Sequence, residues 1–388
     1  MSSTDKAAEG VWAEVSAADG TMFRAFLVAP RSGRGPGLLV LHGAAGLTTN
    51  VTAICRRFAE EGYAVLAPDL SRHATATQAL NDVFAARVAL APYLEAAAKT
   101  GAVAIAEGGA IGWRLALGRA VDALVIYGAT PALGADGKVP ACPVAIHVAG
   151  HAAPETVALR TRLSPQSRVH EYPESKHHFF DPQHFDYEPH AASIAYTRSL
   201  AILRPVLGPH YDLSRLFDEH LKYEFIEHDA DATMETMVGE PYVNHVPTLT
   251  GGVGHDMLKR FYKYHFIPNL PSSRRSILLS ETVGPDIVIR ETVTIFQHTE
   301  EIDYLLPGIK PTGKQLEVAT VVIAKFRGDK LYHEHIYWDQ ASLLAQLGLI
   351  DDKTLPVAGA AAARKMLDQS LPANELMARW KESEGKPL

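Results

Sequence analysis

Two histidines and an aspartate close to residue 335 have the residue types and the spacing needed to move a proton. Residues 331–339 show the pattern of a β-strand, in which His333, His335, Tyr337 and Asp339 share one face. Two imidazoles and a carboxylate in a row can pass a proton, and an apolar pocket raises the pKa of a carboxylate toward neutrality. Asp is also a preferred helix N-cap, and Asp339 stands where this strand meets the next helix. Proton transfer and helix capping are therefore both open for Asp339.

The same strand also suggests a zinc site, because it contains the sequence His-Glu-His. Two histidines at i and i+2 do not match the His-Glu-x-x-His spacing that brings two imidazoles together on a helix. We therefore expect no metal and no cofactor.

A second chemical feature is a turn whose central residue has no reactive atom. Residues 102–106 form an apolar stretch that leads into Gly108, Gly109 and a helical pattern, which is the layout of a nucleophile elbow. The central position of this elbow is Ala106, and a methyl group cannot attack a carbonyl carbon. Glu107 or His177 could instead activate a water molecule, which would give weak hydrolysis. The alternative is that Glu107 only borders the turn and that His177 has no catalytic role.

The elements that must position these residues divide the chain into two folded parts and a tail. The first half alternates buried strands with helices, which predicts a doubly wound, mostly parallel α/β domain over residues 1–208. The second half has helices first and long alternating strands afterwards, which predicts an α+β domain over residues 209–350 with helices on a curved antiparallel sheet around an open pocket. Residues 351–388 form a tail with two helical pieces, over 360–368 and 374–384, and the spacing of Met377 and Trp380 predicts that the tail packs on a domain or a partner.

The first half resembles the dienelactone hydrolase family of α/β-hydrolases over residues 10–207. The resemblance is carried by four motifs, namely Gly-Pro-Gly-Leu-Leu-Val-Leu-His-Gly at 35–43, Glu-Gly-Tyr-Ala-Val-Leu-Ala-Pro-Asp-Leu at 61–70, Cys-Pro-Val at 142–144 and His-His-Phe at 177–179. It implies a Cys nucleophile at the elbow, an Asp after a later strand and a His on a late loop.

Only the histidine of that set, His177, is matched in this chain. Ala106 stands at the nucleophile position, and residues 150–154 contain no carboxylate. Gly43 stands where the family tends to carry an acidic residue. Without a nucleophile and an orienting acid, a lone histidine cannot run acyl-enzyme chemistry.

The second half resembles the SnoaL-like polyketide cyclases of the NTF2-like fold over residues 213–350. The resemblance is carried by the strand at 331–339 with its Trp-Asp end and by Gln-Leu-Gly at 346–348. It implies cofactor-free proton transfer at a carbon next to a carbonyl, with Asp339 as the nearest match to the pocket carboxylate and His335 and His333 assisting. The further pocket residues that we expect are Asn244, His245, His265, Tyr337 and Trp338. Pairing of two chains through the open sheet is a further implication of this fold.

Composition excludes several other classes of protein. The net charge of −7 and the lack of a basic stripe argue against a nucleic-acid partner. No apolar run approaches the roughly 20 residues of a membrane span, and no secretory signal is visible. Two cysteines make no disulfide framework, so we expect a cytoplasmic protein.

The leading expectation is a cofactor-free acid/base enzyme acting on a small apolar carbonyl compound in the second domain, by cyclisation, isomerisation or hydration. The first domain would then serve as a scaffold. One alternative is hydrolysis of a lactone or ester in the first domain by water activation at Glu107 and His177. Another is a small-ligand-binding protein without catalysis.

Overall fold

The computed structural model describes residues 9–73, 75–131, 137–351 and 353–387. The contacts within the chain divide it into two compact units, Met1–Tyr211 and Asp212–Leu388. The predicted boundary after residue 208 lies three residues from this division. Among the described residues, no helix is both long enough and apolar enough to cross a membrane.

An eight-stranded sheet forms the first unit, in the order β1-β2-β4-β3-β5-β6-β7-β8. Strands β3 to β8 pair in parallel, and β1 and β2 form an antiparallel hairpin at one edge. The predicted doubly wound α/β architecture is confirmed. The strands are β1 Val11–Ser16, β2 Met22–Val28, β3 Gly37–Leu41, β4 Ala64–Pro68, β5 Thr100–Ile105, β6 Ala123–Tyr127, β7 Val144–Ala149 and β8 Arg168–Tyr172.

Helices cover both faces of this sheet. Buried side chains of α2 and α3 pack on one face, and those of α1 and α5 pack on the other. Every residue of β3, β4, β5 and β6 is buried, which explains why these strands are nearly continuous apolar runs in the sequence. The helices are α1 Thr49–Glu60, α2 Ala76–Leu90, α3 Gly108–Leu117, α4 Pro154–Leu159 and α5 Pro189–Leu207.

A six-stranded sheet forms the second unit, in the order β10-β9-β14-β13-β12-β11. All its pairings are antiparallel except that of β14 with β9. The strands are β9 Met237–His245, β10 Thr250–Val253, β11 Arg275–Val283, β12 Ile287–Gln297, β13 Gln315–Arg327 and β14 Lys330–Trp338. Strands β11 to β14 were expected from their alternation. Strands β9 and β10 were not, because Pro241, Gly251 and Gly252 favour a loop in the sequence.

Three helices precede the long strands of the second unit, namely α6 Leu213–Lys222, α7 Ala230–Glu235 and α8 His255–Phe261. Two of them end in a π-helical turn. Helix α6 continues into Tyr223–Glu227, and α8 continues into Tyr262–Phe266. Such turns shift side chains out of the α-helical register and occur frequently at functional sites.

The tail belongs to the second unit. It follows α9 Gln340–Leu347 and contains α10 Ala360–Leu367, whose Ala363 is buried and whose Arg364 pairs with Glu317 at 2.7 Å. The second predicted tail helix is a short 3-10 segment, Ala378–Ser383. Met377 and Trp380 are more than half exposed, so they are not packed against a domain of this chain, and packing on a partner stays a prediction.

Candidate functional sites

The turn after β5 keeps the backbone of a nucleophile elbow. Ala106 has a φ of +48°, a left-handed conformation that alanine seldom adopts. Gly108 is required two residues later, because a Cβ there would lie 2.2 Å from the carbonyl oxygen of Leu41. The strained turn is therefore present, and a methyl group stands at its centre.

The side chain of Glu107 occupies the space next to this methyl group. Its Oε2 accepts a hydrogen bond from the backbone N–H of Ala44 at 3.0 Å. The pKa of Glu107 is lowered first by that N–H and then by its own backbone N–H. In an α/β-hydrolase elbow, the N–H after the nucleophile and an N–H from the loop after β3 form the oxyanion hole. In this chain the carboxylate of Glu107 already accepts from the second of these donors, the N–H of Ala44.

The same carboxylate explains the glycine at position 43. A Cβ on Gly43 would lie 2.3 Å from Oε2 of Glu107 and 3.2 Å from the methyl group of Ala106. An acidic side chain at position 43 and Glu107 in its present place therefore exclude each other.

The expected water-activating pair, Glu107 and His177, is not brought together. The histidine whose charge lowers the pKa of Glu107 is His178, and the ring of His178 stacks on that of His184 with centroids 4.1 Å apart. His177 is exposed, and its ring forms no hydrogen bond within the part of the chain that the structure describes. The sequence could not show which of two adjacent histidines, His177 or His178, acts on Glu107.

The second unit contains a cavity of about 230 Å³ between its sheet and its helices. It exceeds the cavity of about 150 Å³ that holds a benzene molecule in an engineered protein core. Most of its wall is aromatic or aliphatic. The aromatic lining residues are Phe217, Phe225, Tyr262, Phe266, Phe296, Tyr304 and Trp338.

A buried group of ionisable side chains lies at one polar part of this wall. Glu334 of β14 and Glu224 of the π-helical turn line the cavity, and His220 of α6 lies behind them. Nε2 of His220 is 3.0 Å from Oε1 of Glu224 and 3.8 Å from Oε2 of Glu334. Nδ1 of His220 is 2.6 Å from Oγ1 of Thr236.

Burial and neighbouring charges shift the pKa values of Glu334, His220 and Tyr262. Burial, followed by the charge of Glu224, raises the pKa of Glu334 to about 7. Burial alone would lower the pKa of His220, but the two carboxylates outweigh it and the net shift is upward. Burial also raises the pKa of Tyr262 well above its usual range, with both carboxylates adding to the effect. Near neutral pH, therefore, Glu334 can gain or lose a proton and Tyr262 keeps its hydroxyl proton.

Two buried polar atoms of this group lack a hydrogen bond of good geometry, namely Nε2 of His220 and the hydroxyl oxygen of Tyr262. The donor set is also one that a divalent cation can use. The ligand atoms of His220, Glu224 and Glu334 lie within 4.8 Å of one another.

His245, an expected pocket residue, does line the cavity. Its ring lies among those of Phe261, Phe266, Tyr304 and Trp338, with centroids 5.4 to 5.9 Å away. Burial lowers its pKa to about 4, so the imidazole is neutral at physiological pH. Trp338, also expected, lines the cavity and donates its Nε1–H to Oε1 of Gln340 at 2.6 Å.

Asp339 lies immediately before the first residue of helix α9 and does not line this cavity. Its Oδ1 accepts from the backbone N–H of Ser342 at 3.2 Å, and its Oδ2 accepts from the hydroxyl of Ser342 at 2.5 Å. It borders a separate, much smaller pocket together with Ser342 and Gly359. The structure thus places Asp339 as an N-cap, and proton transfer by this residue stays a prediction.

His333 and His335 lie on the opposite face of β14 from the cavity. Their rings are 3.9 Å apart, and both meet the ring of Tyr242 edge-on. Burial, followed by the charge of His335, lowers the pKa of His333 to about 4. The expectation that these histidines line the pocket is wrong, because the face that turns inward carries Glu334, Ile336 and Trp338.

Three of the expected substrate-binding residues also lie outside the cavity. Tyr337 is 40% exposed and His265 is exposed. Asn244 is paired with His335 across β9 and β14 and does not line the cavity.

Sequence reasoning missed Glu334, Glu224, His220 and Tyr262, although the signal for Glu334 was present. Ile336 and Trp338 mark the apolar face of β14, and a carboxylate on that face must be desolvated. His220 and Glu224 similarly interrupt the apolar face that Phe217 and Leu221 define on α6.

Comparison with known proteins identifies the first unit more firmly than the second. Residues 23–207 match the dienelactone hydrolase family, which bears out the resemblance of the first half and supports a hydrolase-type role for this unit. No curated protein matches the chain.

Several solved structures are similar to part of the chain. A Klebsiella pneumoniae protein described as a dienelactone hydrolase is 22% identical over 50% of this chain and 98% of its own, with a TM-score of 0.42. A dienelactone hydrolase-like promiscuous phosphotriesterase from metagenomic libraries is 21% identical over 51% of this chain and 99% of its own, with a TM-score of 0.43. A protein from Acidithiobacillus ferrooxidans described as a polyketide cyclase is 17% identical over 37% of this chain and 98% of its own, with a TM-score of 0.31.

Proposed function

We propose that the second unit, with an NTF2-like fold of the SnoaL-like type, is an acid/base enzyme that moves a proton at a carbon next to a carbonyl group. The observation that carries the proposal is Glu334, a buried carboxyl with a pKa of about 7 in the wall of an apolar cavity. A general acid/base is most effective when its pKa lies near the working pH. The substrate is a small, largely apolar carbonyl compound, because most of the cavity wall is aromatic or aliphatic.

The proposed step is an enolisation. The carboxylate of Glu334 takes a proton from the carbon next to the carbonyl, the C–H electron pair moves into the new C=C bond, and the carbonyl oxygen becomes an enolate oxygen. Tyr262 lines the same cavity and keeps its proton at neutral pH, so its hydroxyl can donate to that oxygen. Glu334 then returns the proton to the same or another carbon, which gives exchange or isomerisation.

Glu224 and His220 act on the substrate through Glu334 and are positioning residues. Besides burial, the charge of Glu224 raises the pKa of Glu334 and the charge of His220 lowers it. Loss of either residue therefore changes the pH at which Glu334 works.

The test is hydrogen–deuterium exchange of small aryl ketones such as 1-tetralone in D₂O, followed by mass spectrometry. We expect exchange with the wild-type protein, and loss of at least about 100-fold in Glu334→Gln, the lower end of the usual contribution of a general base. Exchange should persist in Glu240→Gln, which changes an exposed carboxyl of β9.

Three outcomes of this experiment would favour a rival explanation. Exchange that is lost in Asp339→Asn and retained in Glu334→Gln would transfer the role to Asp339 and refute the assignment to Glu334. Exchange that disappears with a chelator and returns with a divalent cation would refute cofactor-free chemistry. Ligand binding without exchange of any ketone tested would favour a binding protein.

Hydrolysis in the first unit is the second candidate function, and the family match over residues 23–207 favours it. The reaction would be attack of water on a lactone or ester, since Ala106 offers no nucleophile. Hydrolysis of aryl esters that falls in both Glu107→Gln and His177→Ala would support it. Hydrolysis that persists in both variants would exclude these residues.

A further inference from the structure

We propose that the cavity of the second unit binds a substrate with an anionic group, and that Arg274 is the residue that recognises this group. The inference rests on the proposed function for the location of the reaction, and it adds the chemical class of the substrate. It begins from an imbalance between two arginines in the cavity wall.

Arg290 and Arg274 both line the cavity, but of these two only Arg290 has carboxylates at contact distance. Nε of Arg290 is 2.6 Å from Oε2 of Glu281, and its Nη2 is 2.7 Å from Oδ1 of Asp218. Within the described residues, Arg274 has no carboxylate within 4.0 Å. Its guanidinium carbon lies 4.1 Å from the ring centroid of Phe225, and its Nη1 donates to Oγ of Ser276 at 3.0 Å.

The surroundings of Arg274 favour binding of an anion from a ligand. Burial lowers the pKa of Arg274, and the more distant charges of Tyr304 and Glu224 oppose this effect without cancelling it. A partly desolvated cation with no carboxylate in contact is costly, and an anion bound directly to it lowers that cost. The planar guanidinium matches the two oxygens of a carboxylate, which it can bind by two parallel hydrogen bonds.

Hydroxyl groups continue the polar strip that begins at Arg274. Oγ of Ser276 lies 3.0 Å from Oγ1 of Thr294, and both residues line the cavity. The rest of the polar lining includes Glu224 and Glu334, which carry the opposite charge. The cavity therefore offers a cationic and hydroxyl-rich part for an anion, an aromatic part for an apolar body, and Glu334 for the proton. A ketone or enone that also bears a carboxylate or a phenolate fits this arrangement.

The test measures binding and needs no turnover. The probes are 2-naphthoate and 2-naphthamide, which share shape and differ in charge, and calorimetry gives the dissociation constant of each. We expect the wild-type protein to bind the carboxylate about tenfold more tightly than the amide, in line with the strength of charge-assisted hydrogen bonds. Arg274→Gln should lose this preference while its affinity for the amide stays within about twofold of wild type.

Matched variants keep the experiment decisive. Arg275→Gln removes the same charge from the next, exposed residue of β11 and should keep the preference. Arg274→Lys keeps the charge but lacks the two parallel donors, so it should keep part of the preference for the carboxylate. An equal preference in Arg274→Gln and wild type would overturn the inference, and so would equal losses in Arg274→Gln and Arg275→Gln.

Glu334→Gln separates this inference from the proposed function. Because this variant removes only the group that moves the proton, it should still prefer the carboxylate over the amide. A preserved preference together with unchanged ketone exchange in Glu334→Gln would refute the proposed reaction and leave the anion site standing.

Discussion

The raised pKa of Glu334 makes a prediction about folding stability that needs no substrate. Glu334→Gln replaces the carboxyl with an amide of the same shape that cannot ionise. A carboxyl whose pKa is higher in the folded than in the unfolded chain holds its proton more tightly in the folded chain. Ionisation then opposes folding, and stability falls as the pH rises from the unfolded to the folded pKa.

The size of the effect follows from the shift. A rise from 4.5 to about 7 corresponds to about 3 kcal/mol, at about 1.4 kcal/mol for each pKa unit. The Glu334 side chain is only 6% exposed, so little solvent screening reduces this value. We therefore compare the free energy of unfolding of the second unit in wild type and in Glu334→Gln. The wild-type value minus the variant value should fall by about 3 kcal/mol between pH 4 and pH 8.

His220 contributes to the wild-type pH dependence in the same direction. Its pKa is raised above 6.5, so its stabilising contribution is present at low pH and is lost as the pH rises through the raised value. Glu224 still pairs with His220 in the variant, at the 3.0 Å contact. The difference between wild type and Glu334→Gln therefore reports mainly on Glu334.

The assay must follow the second unit alone. Samples equilibrated in urea at each pH receive a short hydrogen-exchange pulse, and mass spectrometry reads the peptides of β13 and β14, which pair with each other over most of their length. Glu240→Gln serves as the control and should follow wild type at every pH. A difference between Glu334→Gln and wild type that stays constant from pH 4 to pH 8 would refute the argument that Glu334 is desolvated.

Three further outcomes follow from the geometry. Ala106→Cys should not create aryl-ester hydrolysis, because Glu107 occupies the N–H of Ala44 and no carboxylate of residues 150–154 is present to orient a histidine; hydrolysis in this variant would contradict the argument. Asp339→Ala should lower the free energy of unfolding of the second unit by about 1 kcal/mol through loss of the cap, with ketone exchange retained, as measured by the pulse assay and by deuterium uptake. The Hε1 resonance of His245 should not shift between pH 5.5 and pH 8, since the pKa of this imidazole is about 4, and a midpoint near 6.5 would show that the ring is solvated.

Much of the first unit was predictable because its information is local. Continuous apolar runs indicated strands buried on both faces, and the Gly-rich segment after residue 106 indicated a tight turn into a helix. The missing nucleophile was equally visible, since it depends on one residue type at one position. The place of the Glu107 carboxylate was not visible, because it is defined by the N–H of Ala44, 63 residues earlier in the chain.

The second unit shows where local information ends. Alternation along residues 331–339 correctly sorted the side chains of β14 into two faces, but it does not say which face is covered. That is decided by the helices, because α6 and the turn after it bring His220 and Glu224 to Glu334 across more than 100 residues. The pKa of Glu334 depends on its burial and on the charge of Glu224, and both arise only when the sheet and the helices pack together. The amino-acid sequence alone thus determined which residues share a side of the strand, and the tertiary structure decided which side became a desolvated, proton-exchanging site.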